Sequence, residues 1–214
     1  MRPALIAWAV ALWRGEPRTA ILAGLLWFLV ALAASASGAL EQLRPPAPQL
    51  VLVGLTGALV VAGVASPRFR AWAFSLDLRV VVALHLTRFV GAAFLVYYRR
   101  GELPFAFAVP GGWGDIAVAT AAILVLASGA PSTPGRRVIY GVWNMFGLAD
   151  FLFVVFTAAR LAFADPDSMR ALLRLPLSLL PTFLVPILIA SHVLIAARLM
   201  SASRPSVDTR GGNA

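Results

Sequence analysis

Arg88 stands inside an otherwise apolar run, residues 80–98 (VVVALHLTRFVGAAFLVYY), long enough to cross a bilayer. A charge at that depth costs several kcal/mol; such groups are usually paired, face protein or water, and mark a site. A second apolar run, 138–159, carries Asn144 and Asp150, and a third carries His192. An Arg can hold a carboxylate or phosphate through two parallel bonds. An Asp can carry a proton through a cycle when its surroundings favour the neutral form.

Counting from the flanking arginines gives the depths. His85 lies six residues beyond Arg79 and His192 six before Arg198, roughly 9 Å in for each at 1.5 Å per residue. Asn144 comes out at roughly 10 Å, Arg88 at 14 Å and Asp150 at 20 Å. Three helices thus bring polar groups to overlapping levels, and a shared interior is the expected meeting place. His85 and Arg88, three apart, share a helix face. Asn144 and Asp150, six apart, diverge by about 120° and suit two walls of one cavity. Gly141 and Gly147 offer places for close helix approach.

Three readings of this constellation stand side by side. One is a site for a small polar or anionic ligand, or for protons, lined by Arg88, Asp150, Asn144, His85 and His192. The second is a b-type haem with His85 and His192 as axial ligands, since two neutral imidazoles on facing helices can hold iron from both sides. The third is a structural ion pair, Arg88 with Asp150, in an accessory subunit of a larger membrane complex. Asp115, after Gly111-Gly112-Trp113-Gly114, reads either as the N-cap of a helix or as a ligand contact at an outer mouth.

These residues need spans to position them. The expected fold is all-α: a polytopic membrane bundle of six transmembrane helices at about 20–38, 50–65, 80–98, 113–129, 138–163 and 181–200. Residues 3–13, behind Arg2 and closed by Arg14, predict a short interfacial helix rather than a cleaved leader. Residues 1–200 read as one transmembrane domain and 201–214 as a polar, disordered tail. Pro, Gly and Arg mark most breaks, as at Arg44-Pro45-Pro46 and Ser66-Pro67-Arg68. Segment 99–115 is apolar for a loop and predicts a return toward the membrane or a cap over a cavity. Pro181 suits a helix start, and Pro186 a kink in the sixth span that frees backbone carbonyls.

Composition narrows the chemistry. The chain is 60 % hydrophobic and 13 % charged, against roughly 45–50 % and 25 % in soluble domains. The net charge of +9 is dispersed over short loops, so it is no nucleic-acid footprint. All eighteen basic residues are Arg; without Lys there is no Schiff base. Without Cys there are no disulfides, thiolate nucleophiles, Cys-held iron–sulfur clusters or covalently attached haem. No Walker A lysine, GxSxG elbow or HExxH helix occurs. With a cytoplasmic amino terminus, eleven arginines fall inside and six outside, Arg88 being the eighteenth, so both termini are expected in the cytoplasm.

GGWGD at 111–115, WNMFGLAD at 143–150 and LPTFLVPILIASH at 180–192 together resemble a group of small six-span bacterial integral membrane proteins. The resemblance covers roughly residues 79–199. It implies the fold, a place in the bacterial inner membrane and a common role for these polar positions, and it implies no activity. The lipid bilayer is the expected surrounding, and a homo-oligomer or a membrane complex is an open expectation.

Overall fold

The computed structural model describes residues 17–202. The expected interfacial helix at 3–13 lies outside the described residues, as does the expected tail of 201–214 except for Ser201 and Ala202, which are still helical. Among these residues there are eight α-helices and no strand, and six helical segments are long and apolar enough to cross a membrane. The protein is an all-α membrane helix bundle.

Span one is α1 (Pro17–Ala36) and span two is α2 (Ala47–Ala65). A short helix, α3 (Pro67–Ser75), leads to span three. That span is built in three pieces: α4 (Leu78–Leu84), a 3-10 helix (His85–Val90) and α5 (Gly91–Arg99). Span four is α6 (Phe105–Ala127) and span five is α7 (Pro134–Ala164). A 3-10 helix (Pro166–Leu173) and a π turn (Leu180–Leu184) lead into α8 (Val185–Ala202). At 31 residues α7 is roughly 46 Å long, more than the hydrocarbon core needs.

Two sequence expectations change here. Segment 99–115 is a loop only as far as Pro104; from Phe105 onward it is helix, with Pro110 inside it. A proline is tolerated there because neighbouring helices in a membrane can satisfy the carbonyl it leaves unbonded. Asp115 is therefore no N-cap: that position is Pro104, and Asp115 is buried in the middle of α6. Pro186 does free a carbonyl, that of Thr182 four residues earlier. The indole Nε1 of Trp27 donates to this carbonyl at 2.9 Å, so α1 uses the kink as a packing contact. Trp27 and Phe28 also meet Phe183 edge-on, each with ring centroids 5.2 Å apart.

Spans three to six share one layered pattern. One apolar layer contains Val81, Val82, Val118, Val125, Tyr140, Trp143 and Ile195. The other contains Phe94, Phe107, Ala108, Met169, Leu177 and Leu180. The ionisable groups of these spans, with Asn144 and Ser191, fall between the two layers: His85 and Arg88, Asp115, Asn144 and Asp150, Ser191 and His192, while Thr157 and Thr182 lie within the second layer. Antiparallel neighbours reverse the order of the layers, so all four bring their polar groups to one level. Spans one and two supply few buried residues and carry many exposed leucines and valines, as lipid-facing helices do.

Local signals fix the helix ends. Asp77 caps α4, its Oδ1 accepting from the Arg79 amide at 2.8 Å. Asp77→Ala is expected to cost about 1 kcal/mol, read by thermal unfolding of the purified protein.

Candidate functional site

Arg88 is the centre of the polar layer, with 1 % of its surface exposed. Its Nε donates to Asp115 Oδ1 at 2.7 Å and one terminal nitrogen donates to the Gly147 carbonyl at 3.0 Å. The other terminal nitrogen donates to Asp150 Oδ2. The guanidinium carbon lies 3.9 Å from the centre of the Phe151 ring, within cation–π range. One cation thus joins α6 and α7 to span three and faces two carboxylates.

Glycines make these contacts short. A Cβ on Gly91 would stand 2.6 Å from Asp115 Cβ and 2.7 Å from the Gly112 carbonyl oxygen, so α5 and α6 touch through their backbones. A Cβ on Gly114 would collide with the Asp150 carboxylate, whose Oδ1 lies nearest to that glycine. Gly147 admits His192, whose Cε1 would be 2.6 Å from an added Cβ. Gly141 has open space beside it, contrary to the expectation of close approach there.

The histidines lie beside the charges. In a 3-10 helix residues three apart eclipse, which stacks His85 and Arg88 on one side of span three. Ser191 Oγ donates to the Leu188 carbonyl at 2.7 Å, so it accepts from His85 Nε2 at 2.9 Å. Asn144 Nδ2 donates to the His192 carbonyl at 3.1 Å, which leaves Asn144 Oδ1 to accept from His192 Nδ1 at 2.8 Å. Each ring is thereby left with one lone pair, on His85 Nδ1 and His192 Nε2, both buried and without a hydrogen-bond partner. Both residues are 0 % exposed and their ring centroids are 4.3 Å apart. Trp143 packs on both rings, at 5.0 and 5.6 Å, and donates its own Nε1–H to the Val118 carbonyl at 3.1 Å.

This geometry does not fit the axial pair of a haem. Iron bonded to two imidazoles sets their centroids roughly 6 Å apart, with the macrocycle lying between them. At 4.3 Å the rings touch each other, and no macrocycle passes between them.

Arg88, Asp150, Asn144, His85 and His192 are all brought together, as their depths imply, and Asp115 joins them as the second counter-charge. Sequence reasoning missed Gly91, Gly112 and Gly114, together with Trp143 and Phe151. It also did not find the apolar cavity. The polar groups bond to one another, and a cavity of about 120 Å³, with Phe151 among its lining residues, has almost entirely apolar walls.

Fold and site together define a polytopic helical membrane protein with a charged interior. The chain belongs to the family described as a domain of unknown function, DUF8737, which matches residues 45–200 and so takes in the whole polar layer. No curated protein and no solved structure matches it.

Proposed function

We propose that this is a bacterial inner-membrane protein, with both termini cytoplasmic, that exchanges a proton at its intramembrane charge cluster and couples it to binding or translocation of a small ligand. The observation that carries the reading is one guanidinium held between two carboxylates. Arg88, Asp115 and Asp150 sum to −1 when all are ionised and to zero when one carboxyl holds a proton. A net charge in the membrane interior is costly, so the cluster is a place where a proton is taken up and given back.

Asp150 is the better placed of the two acids to exchange it. Its side chain is 16 % exposed against 6 % for Asp115. A polar or anionic ligand held by Arg88 alone is less well supported, because the donors of Arg88 already face the protein's own carboxylates. The excess of arginines on the amino-terminal side supports the orientation.

Infrared difference spectra of the reconstituted protein between pH 9 and pH 5 test the reading. A protonated-carboxyl band should grow at low pH, persist in Asp115→Asn and vanish in Asp150→Asn. A structural clamp in an accessory subunit predicts a carboxyl signal that does not change with pH, and that result would sink the proton-exchange role.

A further inference from the structure

The cavity of about 120 Å³ lies between the start of α2, the second half of α7, the 3-10 helix Pro166–Leu173 and the π turn. Leu52, Ala158, Met169 and Leu180 are representative of its walls, and no charged residue lines it. A dry apolar cavity of about 150 Å³ is enough for a benzene ring, so this one accepts a short hydrocarbon segment. The polar exception is Gln49, whose side-chain Oε1 is buried and has no hydrogen-bond partner. An unpaired buried acceptor is costly, and an O–H or N–H on a bound molecule would satisfy it.

Exposed ion pairs stand beside the cavity. Arg44 and Arg170 pair with Asp167, and Arg174 pairs with Glu41. Phe151 is one of the lining residues. The same ring carries Arg88 at 3.9 Å and lies 5.8 Å from His192.

We infer that this cavity is the ligand site of the protein, that it takes the hydrocarbon part of a membrane amphiphile bearing a hydroxyl or amide N–H for Gln49, and that Phe151 transmits occupancy to Arg88. The cavity itself stands apart from the proton-exchange reading; the transmission rests on it. A molecule seated against Phe151 fixes the ring, and the ring fixes the guanidinium between its two carboxylates.

Hexan-1-ol is a suitable probe, because it combines a short chain with one O–H. It should raise the unfolding temperature of the protein in nanodiscs saturably. Ala158→Phe, which fills the cavity, should abolish the saturable part, as should Ala162→Leu if the larger substitution does not fold. Gln49→Leu should remove the preference for hexan-1-ol over hexane. The same dose response in wild type and in the filled variants would overturn the site. Saturating hexan-1-ol should also shift the carboxyl band of wild type. A band that is present but unmoved by bound alcohol would overturn transmission through Phe151. Saturable binding with no pH-dependent band at all would keep the site and reject proton exchange instead.

Discussion

Arg88→Met is expected to lose about 3–5 kcal/mol of folding stability, the usual result of removing one partner from a buried ion pair. The loss arises mainly from what stays behind. Asp115 and Asp150 would face each other in the membrane interior with no cation between them, and the Gly147 carbonyl would lose its donor. The triple variant Arg88→Met, Asp115→Asn, Asp150→Asn should recover most of the loss, because a charge network replaced by neutral groups of similar size is often tolerated. Arg88→Lys should fall between, since an ammonium cannot span both carboxylates as the guanidinium fork does. Unfolding in mixed micelles, followed by tryptophan fluorescence, measures all three. A triple variant no more stable than Arg88→Met would mean that the charges are not the source of the loss.

Gly91→Ala should destabilise the protein by about 1–3 kcal/mol, the range of an overpacked interior. Helix propensity alone favours the change by roughly 1 kcal/mol, so the sign depends on the packing. Here the new methyl would meet the Gly112 carbonyl oxygen at 2.7 Å, and that obstacle is backbone. The helices must separate, which pulls Asp115 away from Arg88. Gly141→Ala is the matched control, since nothing lies within 4 Å of its Cβ position, and it should be neutral or slightly stabilising. Equal effects of the two substitutions in the same unfolding assay would show that α5 and α6 do not meet as closely as described.

Much of the site was legible because a polar residue inside an apolar run is conspicuous at any register. Arg88, Asp150, Asn144, His85 and His192 were found that way, and residue counting from the flanking arginines set them at overlapping levels. Asp115 was harder to place. Pro110 and the three glycines before it suggest a loop, yet the run from Phe105 is long enough to span, and Pro and Gly are frequent in membrane helices. The glycine contacts were not readable, because whether a glycine is crowded depends on the helix opposite, as Gly91 and Gly141 show in opposite ways. The haem reading followed from equal histidine depths; what decides against it is the ring separation, set by side-chain packing. The apolar cavity was equally hidden, since segments far apart in the chain combine to line it.

The spacing of the charge partners bears on how the chain enters the membrane. Arg88 meets Asp115 and Asp150, 27 and 62 residues further along. At a synthesis rate of about 5–20 residues per second, the first partner emerges roughly 1–5 s after Arg88 and the second roughly 3–12 s after it. Span three therefore reaches the insertion machinery as a helix with a lone cation at its centre. It gains its full set of partners only when span five arrives. Until then the favourable place for it is at a protein or water boundary rather than free in lipid, so a nascent chain stalled before Asp150 would be a ready target for membrane quality control.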